Sequence, residues 1–297
     1  MDDFKDCVLM ILGADGLPGR ALAARLEAGH PGTIAATRLE ADVTDRFRLE
    51  AEIERLRPTV VINCASLSDP DACETDPDRA RRVNAEGAEN AALACAAAGC
   101  RLVHLSTAAV FDGSRTAPDT ETDPTAPLSV HGRTKLEGET RVAAALPDHL
   151  IVRASWLFGP GRPNLVDAIR ARASEERILK IAGGEIGSPT SAADLAEAVA
   201  RLLRTRHRGV VHFANTGACT RVELAREILS LLGEDPGRVA ERPADETGRL
   251  ARRPPRALLE TSLYARLTGA PPRGWREALA DHLGAAIDAR AAGGKRP

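Results

Sequence analysis

The sequence predicts an α/β fold with a doubly wound parallel sheet, because three features occur together. Short apolar runs, typical of buried strands, alternate with segments of helical periodicity through the first half of the chain. The first apolar run leads through a glycine-rich turn into a helix. The connections are short, which suits parallel strands joined by helices on both faces of a sheet. We therefore expect a Rossmann-like domain.

The elements of the first half follow in order. The first strand is predicted at 7–12 and leads through the turn at 13–19 into a helix that includes Leu22 and Leu26. A long alanine-rich helix ends at Gly99, which suits a C-cap. The other predicted strands are 33–36, 59–63, 101–106 and 149–153, and the other helices are 45–56, 78–98 and 128–146.

The second half is less regular, with helical segments separated by connections rich in Gly and Pro. These segments lie at 164–174, 192–204, 221–232 and 275–286. We predict a Rossmann-like domain at 1–155, a smaller substrate-binding lobe at 156–290 that is partly interleaved with the sheet, and a frayed tail at 291–297.

Charge, cysteine spacing and the length of the apolar runs argue against nucleic-acid-binding, metal-binding, secreted and membrane proteins. The net charge of −2 gives no basic face for nucleic acid. The six cysteines show no C-x-x-C pair and no metal-like spacing with histidine, so we expect neither a metal nor disulfides. The N-terminus has no secretory pattern, and no apolar run approaches the roughly 18 residues that span a bilayer. We expect a cytoplasmic protein without a membrane partner.

The turn after the first strand has the spacing G-x-x-G-x-x-G. Its residues are Gly13, Gly16, Leu17 and Gly19, with Pro18 in the first helical turn. Glycine permits the tight turn and lets a pyrophosphate approach the backbone amides at the helix N-terminus. The sequence therefore predicts a dinucleotide site here; a tight strand–helix turn without a ligand is the alternative.

The end of the second strand favours NADP over NAD. Arg38 follows this strand where an acidic residue would instead bind the ribose hydroxyls of NAD. Because a surface arginine explains Arg38 equally simply, NAD stays open. Asp42 and Val43, just downstream, are expected to flank the adenine ring.

Ordered motifs along nearly the whole chain resemble the dTDP-4-dehydrorhamnose reductase branch of the extended short-chain dehydrogenase/reductase superfamily. The resemblance implies a nicotinamide-dependent oxidoreductase of the cytoplasm, and it implies cofactor contacts at Cys64 and Ala65. The motifs lie at 60–65, 83–87, 105–107, 110–113, 127–128, 132–139, 155–159, 186–190, 252–254 and 275–279.

The resemblance also implies a Thr–Tyr–Lys catalytic apparatus, in which Tyr donates a proton to a substrate carbonyl and Lys binds the nicotinamide ribose. Thr107 and Lys135 fit two of these roles. His131 stands four residues before Lys135, where the tyrosine is expected, and the only tyrosine of the chain is Tyr264. Positions four apart share one helix face, so His131 and Lys135 can address the same site.

Further departures fall on the expected substrate side. Ala108 and Ala109 replace the usual Asp-Tyr after Ser-Thr, Leu67 replaces an aromatic residue, and Glu185 replaces an amide. These changes argue against dTDP-4-dehydrorhamnose itself as the substrate. The expected substrate-binding residues are Ala108, Ala109, Asn84, Trp156 and Arg253; packing is the alternative for Asn84 and Trp156, and a solvated loop for Arg253.

The chemistry of His131 is left open by the sequence. An imidazole suits acid–base work near neutral pH. The Lys135 cation lowers the pKa of a neighbouring imidazole, so a neutral His131 is a better base than acid. The histidine side chain is also roughly 2 Å shorter than that of tyrosine, which places it farther from a substrate oxygen.

Three functional hypotheses follow. The first is an NAD(P)-dependent oxidoreductase acting on a small molecule such as a nucleotide sugar, with altered substrate or chemistry. The second is a non-redox enzyme that uses His131 as acid or base for elimination, cyclisation or epimerisation. The third is a catalytically silent nucleotide-binding regulatory or scaffold subunit. A homodimer is left open.

Overall fold

Thirteen strands, several of only two residues, appear in the computed structural model, which describes residues 7–243, 246 and 248–293. In chain order they are β1 (Leu9–Leu12), β2 (Ile34–Ala36), β3 (Val60–Asn63), β4 (Arg101–Thr107), β5 (His149–Ala154), β6 (Leu157–Phe158), β7 (Leu179–Ala182), β8 (Ile186–Gly187), β9 (Thr190–Ser191), β10 (Gly209–Phe213), β11 (Cys219–Thr220), β12 (Val239–Arg242) and β13 (Arg256–Ala257).

Eleven α-helices connect or cover these strands in the described part of the chain. They are α1 (Leu17–Glu27), α2 (Arg46–Leu56), α3 (Pro70–Thr75), α4 (Pro77–Arg81), α5 (Gly87–Ala98), α6 (Val130–Ala145), α7 (Leu165–Glu175), α8 (Ala192–Leu203), α9 (Arg221–Leu231), α10 (Ser262–Thr268) and α11 (Trp275–Gly293). A π-helical turn (Arg82–Glu86) joins α4 to α5, and 3₁₀ turns lie at Ala108–Val110 and Pro236–Arg238.

The central sheet has six parallel strands in the order β10-β5-β4-β3-β1-β2. Strand β1 pairs with β2 on one side and with β3 on the other, so that Met10 lies between Ile34 and Val61. The chain therefore reverses its direction of winding between β1 and β3. In open parallel sheets a crevice forms beyond the carboxyl ends of the strands at such a reversal.

Helices cover both faces of this sheet, because successive side chains of each strand point to opposite faces. Leu9 and Ile11 pack in a core with α1 and α8, whereas Met10 and Leu12 pack in a second core with α2, α5 and α6. The predicted doubly wound α/β fold is confirmed.

A third core lies among elements of the second half. Buried apolar residues of α7, α9, α11, β7 and β12 surround Trp275, which is 1% exposed. Helix α8 and strand β10 also come from the second half but pack in the central sheet. The predicted lobe boundary at 155/156 stays a prediction. Of the predicted frayed tail, residues 291–293 belong to α11 and 294–297 lie outside the described residues.

The predicted elements of the first half are present with small shifts in their ends. The helix predicted at 78–98 is α4, the π-helical turn and α5 in succession, and it ends at Gly99 in the left-handed conformation with φ of 68°. Strand β10, helices α3 and α10 and the short strands of the second half were not predicted. A search of the described residues finds no helix with the length and apolar character needed to cross a membrane.

Candidate active site

The glycine turn between β1 and α1 is packed too tightly for side chains. Gly13 has φ of +69°, and a Cβ there would lie 2.8 Å from the backbone of Ala65. A Cβ on Gly19 would lie 2.3 Å from the Gly13 carbonyl oxygen. Gly16 is the N-cap of α1, so the first amides of this helix open at the turn. The turn thus has the shape and donors of a phosphate cradle.

A cleft of about 290 Å³ lies beside this turn, at the reversal between β1 and β3. Seven of the predicted cofactor-binding residues line it: Gly13, Gly16, Arg38, Asp42, Val43, Cys64 and Ala65. The cleft is completed by Asp15, Ala41, Ser66, Leu67, Arg79, Val83 and Arg162. Predicted residues Leu17, Gly19 and Lys135 are not among its lining residues; Leu17 lies next to Gly159 instead.

Arginines from three separate segments line the cleft. Arg38 pairs with Asp42 at 2.9 Å, and Arg162 pairs with Asp15 at 2.7 Å. Arg79 of α4 is the third. Burial opposes ionisation of Asp42, but hydrogen bonds from Thr44 and Arg38 outweigh it and lower the pKa of this carboxyl. Sequence reasoning missed Arg79 and Arg162, since both are brought to the cleft from distant segments.

Lys135 lies in α6 with 3% of its surface exposed. Its Nζ donates to the Leu105 carbonyl at 2.6 Å and lies 3.2 Å from Nε2 of His104. Burial lowers the pKa of Lys135 to about 8, against the opposing influence of Glu139 and Cys64. The amine and the ammonium forms are therefore close in free energy near neutral pH.

His131 lies in the first turn of α6, which Ser129 caps by accepting the Gly132 N–H at 3.1 Å. A Cβ on Gly132 would lie 2.2 Å from the Ala109 carbonyl oxygen, so this turn packs directly on the turn that follows β4. His131 is 8% exposed, and its Nδ1 has no hydrogen-bond partner among the described residues.

Its surroundings keep the His131 ring neutral. Burial, then the Lys135 and Arg253 cations, lower the pKa of His131 to about 4, although Asp69 opposes them. The ring is thus an uncharged imidazole near neutral pH, and it becomes a proton donor only where a nearby anion raises its pKa.

Thr107 ends β4 beside this turn of α6. Its hydroxyl accepts the Ala109 N–H at 3.1 Å and caps the 3₁₀ turn. Ala108 is buried in an apolar cluster with Phe111 and Leu259, whereas Ala109 is half-buried. The structure therefore brings Thr107, Ala109 and His131 together.

Asn84 holds the site's backbone in place. This residue is completely buried in the π-helical turn. Its amide accepts the Leu67 N–H at 2.8 Å and donates to the Leu67 carbonyl and the Thr134 hydroxyl, both at 3.1 Å. These bonds tie the segment after β3 to α6.

Three arginines, Arg221, Arg249 and Arg253, lie within charge range of one another, and the Arg253 charge also reaches His131. The Arg221 guanidinium stacks 4.8 Å from the ring centre of Trp156, whose φ is +39°. Glu185 is buried and pairs with Arg221 at 2.9 Å and with Arg249. The carboxylate in place of the usual amide is thus the counter-ion of both Arg221 and Arg249.

Arg253 completes this group. It pairs with Asp71 at 3.1 Å, and its Nε is buried without a hydrogen-bond partner among the described residues. The arginines therefore outnumber the paired carboxylates by three to two, which favours an anionic ligand. Within the described residues, no three His, Cys, Asp or Glu side chains are grouped as metal ligands would be.

Comparison with known proteins gives one family. The model of the family described as "RmlD substrate binding domain" matches residues 7–287. A dTDP-4-dehydrorhamnose reductase of Mycolicibacterium smegmatis is 36% identical over 95% of this chain and 86% of its own length. A protein of the same name from Streptomyces griseus is 39% identical over 92% of this chain and 91% of its own length.

Solved structures agree with these relatives. A dTDP-4-dehydrorhamnose reductase of Clostridium acetobutylicum superposes with a TM-score of 0.88 at 33% identity, covering 94% of this chain and 99% of its own. The Bacillus anthracis enzyme of that name, solved in complex with NADP, gives 0.88 at 30% identity, covering 93% and 98%.

Proposed function

This chain belongs to the RmlD substrate binding domain family, and we propose that it reduces a keto group of a dTDP-linked sugar with NADPH, using His131 in place of the tyrosine acid. The predicted family resemblance is confirmed, and the chain is a reductase-like enzyme. The observation that carries the proposal is the position of His131. It lies one helical turn from Lys135, in a turn of α6 that packs on the turn capped by Thr107, and it is buried within range of the Arg253 charge.

The described residues fit a dinucleotide. A Cβ at Gly13 or Gly19 would clash with the neighbouring backbone, so only glycine allows this tight turn, and the α1 amides open towards it. Arg38 and Arg79 supply cations on the adenosine side, which favours the extra phosphate of NADP. Arg162 faces the same cleft near the glycine turn. When bound, the cofactor supplies the hydride.

The substrate's diphosphate is assigned to the arginines beside His131. Arg253 has a buried, unpartnered Nε, and Arg221 and Arg249 share one carboxylate, so all three have donors left for phosphate oxygens. The Arg221 guanidinium covers the Trp156 ring and Gly187 packs against the indole, so Trp156 shapes this pocket by packing. The Asn84 hydrogen bonds make it a residue that positions the pocket rather than one that contacts the sugar.

An anionic substrate changes the state of His131. Burial, then the Lys135 and Arg253 cations, lower the pKa of the ring, and a diphosphate beside Arg253 offsets the last of these causes and moves the pKa upward. The ring is then able to take up a proton and deliver it to the sugar oxygen while Thr107 orients the carbonyl. Substrate binding thus supplies the condition for acid catalysis.

The test compares His131→Tyr with His131→Phe, which differ only in the phenolic hydroxyl. NADPH binding is measured by cofactor fluorescence, and turnover is measured with a panel of dTDP-4-keto sugars. We expect the native chain and His131→Tyr to oxidise NADPH and His131→Phe to lose at least about tenfold in kcat, since general acid catalysis typically contributes 10²–10⁴-fold. Tight NADPH binding without oxidation by any keto sugar rejects the reductase proposal.

One observation favours a second candidate, a non-redox enzyme. A His131 pKa of about 4 leaves a free imidazole lone pair at neutral pH, which suits a base that abstracts a proton in an elimination or epimerisation. Incorporation of solvent deuterium into the sugar without NADPH oxidation distinguishes this activity. A silent scaffold subunit shows neither result. The homodimer and the lobe boundary stay predictions.

A further inference from the structure

We propose that His104 is a positioning residue that holds Lys135 as a neutral amine, because Asn63 fixes the tautomer of the His104 ring. The hydrogen-bond geometry carries this assignment by itself. Its consequence for catalysis rests on the proposed function.

The Asn63 side chain has one allowed orientation. Its Oδ1 accepts the Ala65 backbone N–H at 3.0 Å, and a backbone N–H is a donor in every protonation state. The Nδ2 group therefore faces Nδ1 of His104, at 3.3 Å. Since an amide nitrogen only donates, Nδ1 of His104 must accept.

The ring tautomer follows from this contact. His104 is completely buried in β4, and burial, followed by the Lys135 charge, lowers its pKa well below the ordinary value. A neutral imidazole carries one proton, and with Nδ1 accepting, that proton is on Nε2. The Nε2–H group faces Nζ of Lys135 at 3.2 Å.

An ammonium group cannot accept this hydrogen bond, because it has no lone pair. A neutral amine accepts it and still donates to the Leu105 carbonyl at 2.6 Å. With Lys135 as an amine, every contact of the chain Asn63–His104–Lys135 joins a donor to an acceptor. With an ammonium, two donors face each other at His104.

None of the other ionisable groups described near Lys135 needs the Lys135 ammonium as its counter-ion. Glu139, on the same helix, is bound by Arg153 through three contacts of 2.6 to 3.2 Å and by the Ser106 hydroxyl. Cys64, after β3, is a neutral thiol because burial raises its pKa to about 12. His131 lies one turn earlier on α6 and is itself neutral.

The consequence concerns the acid. A Lys135 cation is one of the influences that lower the pKa of His131. An amine removes that influence, so His104 makes His131 easier to protonate. In a tyrosine enzyme the same cation helps by lowering the phenol pKa; here it would hinder.

NMR of the ligand-free protein measures the protonation of the His104 ring and of the Lys135 amine directly, so the outcome does not depend on turnover. The chain has four lysines and seven histidines, which makes the lysine ¹³Cε/¹⁵Nζ and histidine ¹⁵N signals assignable by substitution. We expect His104 to carry its proton on Nε2 and Lys135 to be mostly neutral already at about pH 7, more than three pH units below the ordinary lysine pKa of about 10.4; a Lys135 that is mostly an ammonium at that pH contradicts the proposal. The signal of the exposed Lys180 serves as the internal reference.

Two variants separate the tautomer from simple charge effects. In Asn63→Asp the carboxylate accepts both the Ala65 N–H and an Nδ1–H, so we expect the His104 proton to move to Nδ1 and the Lys135 titration to rise by more than one pH unit. The uncharged His104→Gln offers an amide oxygen to an ammonium and should also raise it. An Nδ1-protonated ring in the native chain, or a rise in Asn63→Asp alone with an unchanged tautomer, overturns the proposal.

Discussion

Acidification between about pH 6.5 and pH 4 is expected to destabilise the fold through buried neutral histidines. His104, His131 and His212 are each at least nine-tenths buried. Burial is the largest cause that lowers the pKa of all three, to about 4 for His131 and about 3 for His212. On unfolding, each ring returns to a pKa of about 6.5 and takes up a proton.

The sign follows from proton linkage. Because the folded pKa values lie below the unfolded value, the stabilisation is fully present above about pH 6.5 and is lost as the pH falls towards the folded pKa. In that window each histidine contributes up to ~1.4 kcal/mol per pH unit to the slope of the unfolding free energy. Three rings together give about 4 kcal/mol per pH unit near pH 5.

Urea unfolding of the native chain and of His131→Gln, at several pH values between about 5 and 6.5, isolates the share of His131. We expect the variant's slope to be smaller by about 1 kcal/mol per pH unit. Val130→Ala, in the same helical turn, is the matched control, because loss of buried methyl groups lowers stability equally at each pH. An identical slope in His131→Gln refutes the reasoning, since His131 would then be protonated in the native state.

Two further substitutions test the packing of the site. Gly19→Ala should abolish NADPH binding in a fluorescence titration and destabilise the fold by ~1–3 kcal/mol, because its Cβ would lie 2.3 Å from the Gly13 carbonyl oxygen. Gly29→Ala is the control: its Cβ would lie at least 3.9 Å from its non-adjacent neighbours among the described residues, so binding should be unchanged. Arg153→Met should cost about 3–5 kcal/mol in urea unfolding by leaving the buried Glu139 carboxylate unpaired, and adding Glu139→Gln should recover part of that loss.

Local signals were sufficient for the first half of the fold. Each apolar run there is short and bounded by turn residues, so each predicts one strand, and five of the six strands of the central sheet were predicted in this way. Strand β10 was missed because its residues, Gly209–Phe213, begin with a glycine and follow a charged connection. The strand is formed by pairing with β5, which is a tertiary contact.

Half of the residues that line the cleft could be predicted, because they follow three neighbouring strands closely. Arg79, Arg162 and Arg221 could not, since each arrives from a helix or loop far along the chain and carries no local pattern. The contacts of His104 could not be predicted either. It is buried in β4, but its partners Asn63 and Lys135 come from two other elements, and only the fold brings them to hydrogen-bond distance.

A histidine acid and a tyrosine acid at position 131 need opposite charges nearby. A phenol is too weak an acid near neutral pH, and a lysine cation lowers its pKa towards the useful range. An imidazole in this site already has a pKa of about 4, so any further cation moves it away from that range. Burial is the largest cause of this lowered pKa, and the Lys135 and Arg253 cations add to it, so a working acid at this position needs an uncharged Lys135 and an anion beside Arg253. The His104 contact provides the first condition and a diphosphate substrate the second, which is why both must be tested before His131 is judged a vestige.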